Sequence, residues 1–341
     1  MIKQASKVFI GAMLLGASLL LGASAQAHHS GAMYDDHKTV TIKGTVAKFE
    51  WSNPHVYVYL QQLVGTDKVL WEVECSPPSI LKRLGWNQDT VHVGDTLQIT
   101  GAPLRDQSKK GILPSQIRHG DTVLFDRKGE VGRLAKVDET SAAVHGRRLD
   151  GVWVTALAVK VEELLDPDKL ALTPKGKKAA HNFDEKTMHP GAQCVPYPSP
   201  MFMTTPDLKR ITTAGNTLLI DGEFDGAQRT VRMDPASHEA TRSVQGDSIG
   251  HWEGDTLVID TVQFTDHALG NGYGVPSGAG KHLVERMTLD ADGKKLRYHF
   301  ELTDPEYLAK PVSAEADWVF RPDLQYAPLK CDPENAARYR H

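Results

Sequence analysis

Short segments in which apolar and polar residues alternate recur from residue 38 to residue 320, each closed by a turn bearing Gly, Asn, Asp or Pro. An alternation of period two puts every second side chain on one face of an extended strand, so such a chain is committed to β-structure with one buried face. The segments fall into two series. In the first, KTVTIKGTVAKFEW, HVYVYLQQL and KVLWEVEC read as three strands, with Gly44 at a bulge. SPPSILKRLGW then reads as a short helix, opened by Ser-Pro, with Ile80, Leu81 and Leu84 at helical spacing and Gly85 as its stop. DTLQITGAPL and ILPSQIRHGDTVLF complete five strands. Three strands, a helix and two strands is the order of an OB-fold barrel, with an SH3-like barrel as the alternative.

The second series begins at Leu149-Asp150-Gly151-Val152-Trp153 and continues, after Pro- and His-rich loops between Lys175 and Pro206, through six strand-like segments up to DWVFRP. Ala214-Gly215-Asn216, Glu253-Gly254-Asp255 and Asp292-Gly293 supply hairpin turns between them. The whole is read as all-β with short helices: an OB-fold-like small barrel followed by a larger antiparallel β-barrel. The Gly-x-Trp at its start resembles that of lipocalins. The polar stretch between the series gives an organisation of residues 1–27 as signal peptide, 28–126 as first domain, 127–148 as linker and 149–341 as second barrel.

The signal peptide is read from Lys3 and Lys7, the uncharged run Val8–Ala23 and the small-residue cleavage site Ala25-Gln26-Ala27. The mature chain then starts at His28 in the periplasm. No later segment approaches the ~20 apolar residues of a membrane span. The net charge of −4 becomes −6 without Lys3 and Lys7, a mild acidity that argues against a nucleic-acid partner. Of the three cysteines, Cys194 and Cys331 sit in Pro-rich, loop-like settings and are expected to pair. Cys75 ends an apolar strand and reads as a buried thiol.

The motifs AHHS, VTIKGTV, WSNPHVYVY, SPPSILKRLGW and VGDTLQITGAPLRD resemble those of an exported bacterial family of uncharacterised OB-like domains. LTPKGKKAA, CVPYPSPMFM, GDSIGHWEGDTLVIDT, HLVERMTL and ELTDPEYLAKP resemble a second uncharacterised family of secreted β domains. The resemblances imply export and β-architecture, and bring no reaction, cofactor or catalytic residue to any position. The Gly-rich segment FTDHALGNGYGVPSGAG, between Gln263 and Lys281, departs from the second pattern.

Two places carry chemistry. Cleavage after Ala27 makes His28 an N-terminal residue whose amine and imidazole form a chelating pair suited to Cu(II), a "histidine brace". His29 follows it, and His37, His55 and His119 lie in the same domain, His55 being the preferred partner because it follows Asn53-Pro54 beside an aromatic strand. In the second series His251, His267 and His282, with Glu285 and Arg286, form a set for acid–base chemistry near neutral pH if neighbouring strands bring them to one cavity mouth. Trp153, Trp252, Tyr273, Tyr298, Phe300 and Trp318 would line an apolar pocket for a hydrophobic or aromatic small molecule. The reaction class would be a lyase, isomerase or hydrolase that requires no cofactor. The bland reading gives Glu253-Gly254-Asp255 a hairpin role, Glu285-Arg286 a cross-strand one and Trp252 a core one. Three functions follow: small-molecule binding or transformation in the second barrel, copper binding at His28, or a non-catalytic interaction module. No α/β alternation surrounds GDSIG, and the Gly270–Gly274 cluster follows no βα unit, so nucleophile-elbow and dinucleotide readings fail.

Overall fold

A computed structural model describes residues 34–35, 37–53, 55–127, 143–156, 165–205, 207–223 and 226–336. The expected signal segment, His28 and His29 lie outside them.

The first series forms β1 (Val40–Glu50), β2 (Tyr57–Val64), β3 (Asp67–Glu74), helix α1 (Pro78–Arg83), β4 (Thr96–Pro103), β5 (Gly111–His119) and β6 (Thr122–Asp126). The hydrogen-bonded order is β3-β2-β1-β4-β5-β6. A parallel contact of β3 with β5, Glu72 opposite Gly111 and Val73 opposite Ile112, closes five strands into the OB-type circuit β1-β2-β3-β5-β4. The expected last strand is two, because Gly120, with φ +59°, turns the chain back on itself. Gly44 is not at the bulge, which falls between Val46 and Lys48. It serves close approach instead: a Cβ there would lie 2.4 Å from the Gln61 carbonyl oxygen. Val46, Val58, Leu60, Val73, Leu97, Ile99 and Ile117 supply the core from alternate positions.

The second series forms β7 (Gly151–Ala156), β8 (Leu208–Ala214), β9 (Thr217–Gly222), β10 (Gln228–Met233), β11 (Asp247–Glu253), β12 (Thr256–Val262), β13 (His282–Leu289), β14 (Lys295–Thr303) and β15 (Val312–Phe320). They close into a nine-stranded barrel in chain order, β15 pairing with β7. Every pairing is antiparallel except β10 with β11, since the segment from 234 to 246 crosses over and re-enters in the same direction. The Pro- and His-rich stretch between β7 and β8 holds α2 (Pro174–Asn182), α3 (Glu185–Met188), a 3-10 turn (Pro190–Gln193) and α4 (Met201–Thr204). The Thr173 hydroxyl caps α2 by accepting the Gly176 N–H. Short α5 (Pro333–Ala336) follows β15. Among the described residues no helix is long and apolar enough to cross a membrane.

Cys194 and Cys331 are joined as expected, and Cys75 is a buried free thiol. The bridge holds the chain after β15 against the Pro-rich loop of residues 189–200. At the same seam the first barrel docks: the Asn53 amide donates to the Lys330 carbonyl at 3.2 Å, and Arg83 of α1 forms a buried ion pair with Glu223. The expected linker contributes too, since Val144 packs on the second core and its N–H meets the Gly293 carbonyl at 3.0 Å.

Candidate functional site at the seam of the two barrels

Strand parity decides the fate of the expected acid–base set. On β13, Leu283, Glu285 and Met287 take the inner positions, so His282 and Arg286 fall on the outer face. His282 Nε2 lies 2.9 Å from Asp260, and Arg286 donates to Glu253 at 2.7 Å. His251 is also outside, its side chain half exposed and 3.2 Å from Glu253. His267 is buried in the loop after β12. The three imidazoles do not converge, which corrects the expectation of a common cavity mouth, and Glu285 and Arg286 stand on opposite sides of the wall.

Glu285 instead meets Arg229, which the sequence reading missed. Both side chains are wholly buried in the lumen. The guanidinium donates to both carboxylate oxygens, to Ser248 Oγ at 3.1 Å and to Thr261 Oγ1 at 2.7 Å, and the Tyr298 hydroxyl donates to Glu285 at 2.7 Å. Burial opposes the charge on Arg229, but the adjacent carboxylate outweighs it and raises its pKa. Burial, and then the Glu285 charge, push the Tyr298 phenol well above its usual range. A signal existed: Arg229 shares its strand face with apolar Val231, and Glu285 shares its own with Leu283 and Met287.

Around this network the lumen is filled. Trp153, Tyr298, Phe300, Trp318, Met203 and Met287 have zero exposure, so no water-sized space borders them. Helix α4 enters the packing, the Met203 carbonyl accepting from Trp318 Nε1 at 3.1 Å and Thr155 Oγ1 at 3.3 Å. Trp153, Tyr298 and Trp318 are therefore core, not a ligand-lined wall. Trp252 and Tyr273 are half-buried at its margin, Trp252 beneath the Arg147 guanidinium at 5.6 Å.

Perturbed titratable groups collect at the seam. The turn Trp51–His55 is closed by Ser52 Oγ donating to the His55 carbonyl. His55 Nδ1 lies 3.0 Å from the Cys75 carbonyl oxygen, a group that only accepts, so Nδ1 is the donor of this contact. Glu74 Oε1 is 3.6 Å from the same Nδ1, and its other oxygen accepts from the Tyr34 hydroxyl at 3.1 Å. Burial raises the pKa of Glu74, and it also raises that of Tyr34, helped by the Glu74 charge. Tyr34 is fixed by a bridge to Leu104 and by the Asp35 N–H on the Pro103 carbonyl at 2.7 Å.

Across the seam, His189 Nδ1 accepts the Gly191 N–H at 3.0 Å and Nε2 lies 3.2 Å from the Tyr197 hydroxyl. Burial, with repulsion from His55, holds its pKa down to about 4. His267 Nδ1 accepts the Leu269 N–H at 3.1 Å, and burial, then Lys281 and His189, hold it to about 4. Lys281 is pulled to about 7 by burial. Its ammonium donates to the carbonyls of Ser199 and Gly270 and lies 4.2 Å above the Phe264 ring, stitching the Pro-rich loop to the Gly-rich one. Charge coupling thus links His189 to His55 across the seam, and His267 to Lys281 and His189 within the second domain. His37 and His119 are exposed. Among the described residues no group of three or more His, Cys, Asp or Glu side chains is placed to hold a metal ion.

Residues 17–115 match the model of a family of unknown function (DUF6152), a span that ends within β5. No curated protein matches the chain. Among solved structures, a chain in the crystal structure of yeast Stn1 and Ten1 is 22% identical over 28% of this chain and 46% of its own, with a TM-score of 0.18.

Proposed function

We propose that this is an exported copper-binding protein whose metal is held at the seam by His55 together with the amine and imidazole of His28, once cleavage after Ala27 exposes them. The observation that carries this reading is the hold on His55. A ligating imidazole commonly donates its other N–H to a carbonyl or carboxylate, which fixes the tautomer and aims the lone pair. Cys75 O, at 3.0 Å, does this for Nδ1, with the Glu74 carboxylate behind it. Reach favours the same site. Tyr34 is anchored to Glu74, and the six residues back to His28 span at most roughly 20 Å. Three nitrogens suit Cu(II) better than the hard, oxygen-seeking cations. The second barrel, with its packed lumen, then acts as a rigid platform that closes the seam rather than as a catalytic or ligand-binding vessel.

The test is a Cu(II) titration of protein secreted with its own processed N-terminus, read by calorimetry and by nitrogen hyperfine splitting in electron paramagnetic resonance. One copper per chain is expected, bound much more weakly by His55→Ala and lost in His28→Ala. Affinity and spectrum unchanged by His55→Ala would overturn the assignment.

A further inference from the structure

We infer that this chain associates with a second copy of itself through the free edge of β3, the two edges pairing antiparallel about Val69. The inference is independent of the copper reading and starts from the backbone of the β2–β3 hairpin. Along its whole length β3 is registered with β2, from Asp67 opposite Val64 to Glu74 opposite Tyr57. On its other side it meets β5 only at Glu72 and Val73. The Glu72 N–H points to that side, since it donates to the Lys110 carbonyl at 2.8 Å. In an antiparallel ladder, alternate residues turn both backbone groups toward the partner strand and the others turn both away. Lys68 and Leu70 share the parity of Glu72, so their N–H and C=O groups face outward, and among the described residues no strand lies beside them. The apolar side chains of the hairpin are bare as well, Leu63 being 69% and Leu70 53% exposed. An edge of this kind is a template for another strand.

The hairpin complements itself. About a two-fold axis at Val69, Lys68 stands opposite the partner's Leu70, and Leu70 opposite the partner's Lys68. These pairs satisfy the outward backbone groups of Lys68 and Leu70 in both copies. The open stretch from Asp67 to Trp71 is covered by the same stretch of the partner, whose chain turns away at Gly65, at φ +64°, before it reaches β5. Centring the pair on Leu70 instead would require the Glu72 N–H, which the Lys110 carbonyl already holds. The charges agree with the first register. The partner's Asp67 arrives beside Trp71, and the Lys110 ammonium stands 5.9 Å from the centre of that ring. On the outer face Lys68 is diagonal to the partner's Glu72, and the Leu70 side chains of the two copies are diagonal to each other. An edge this short buries little surface, so the dimer is weak, with a Kd above about 1 µM.

The test is sedimentation of the full secreted chain, without metal, over a concentration series reaching about 1 mM. Wild type should pass from monomer to dimer. Leu70→Pro removes an outward N–H and no bond to β2, a change that an edge strand tolerates, and should stay monomeric throughout. Asp67→Lys and Lys110→Asp should each weaken the dimer roughly tenfold or more by setting like charges together, and the double exchange should restore it. Val123→Asp is the control, since Val123 is an exposed apolar side chain on β6, at the other end of the sheet, and should leave the dimer unchanged. A wild-type monomer at every concentration overturns the inference and gives the edge to an extended segment of another protein. A folded Leu70→Pro that still dimerises overturns it, as does a dimer lost in Val123→Asp. Where Leu70→Pro fails to fold, the charge exchange decides: a dimer left unweakened by Asp67→Lys sinks the inference, and one weakened by Asp67→Lys and restored by Lys110→Asp upholds it.

Discussion

Lowering the pH from 7 to 5 should weaken the fold through His189 and His267. Each has a folded-state pKa of about 4, against an ordinary value of 6.5. The unfolded chain takes up a proton on each ring as the pH falls through 6.5, while the folded chain refuses it until about 4. The stabilisation is therefore complete above pH 6.5 and is lost progressively between 6.5 and 4. One pKa unit is about 1.4 kcal/mol, so at pH 5 each ring withdraws about 2 kcal/mol. The two together withdraw somewhat less than about 4 kcal/mol, because part of the His267 depression is repulsion from His189. Glu74 works in the opposite sense. Its raised pKa means that the folded state takes up a proton first on acidification, so the decisive comparison is between variants rather than between pH values alone. Urea unfolding followed by tryptophan fluorescence at pH 7 and pH 5 should show the loss in wild type and about half of it in His267→Gln. An equal pH dependence in wild type, His267→Gln and His189→Gln would refute the argument that burial keeps these rings neutral.

Three further outcomes are expected. Glu285→Ala leaves Arg229 charged and unpaired in the lumen and should cost about 3–5 kcal/mol in urea unfolding, whereas Arg229→Met with Glu285→Leu should restore most of it. The Cys194–Cys331 bridge spans 137 positions, so replacing both by Ser should cost up to about 5 kcal/mol, read from the shift in denaturation midpoint. His251→Ala and His282→Ala remove outer-face side chains and should leave both the midpoint and the copper affinity unchanged.

Much of the architecture was legible because it depends on local rules. Period-two alternation marked the strands, and Gly215, Gly254 and Gly293, all at positive φ, sit in hairpin turns read from sequence. The division of ILPSQIRHGDTVLF at Gly120 was readable too, but the apolar residues on both sides masked it. The candidate site was less legible. The set His251, His267 and His282 was chosen by nearness along the chain, and parity then sent two of them outward. The pair Arg229–Glu285 could have been found by asking which charged residues share an apolar strand face. The seam could not have been read, because His55 comes near His189 only through the docking of two barrels. The tautomer of His55 likewise depends on a carbonyl 20 positions away, delivered by a neighbouring strand.

The grip of Asn53 on the Lys330 carbonyl joins positions 277 apart. The first barrel is made long before residue 330, and its pairings, Val40 with Gly101 among them, lie wholly within residues 40–126. Where folding proceeds from the N-terminal side, the first barrel is therefore complete while its mouth still lacks the contact with Lys330. That contact arrives with Lys330 and is locked by the oxidation of Cys331. The order of manufacture makes the seam the final part to mature, and a chain truncated before Lys330 should display the first barrel's mouth to whatever chaperone or metal donor it meets on the way.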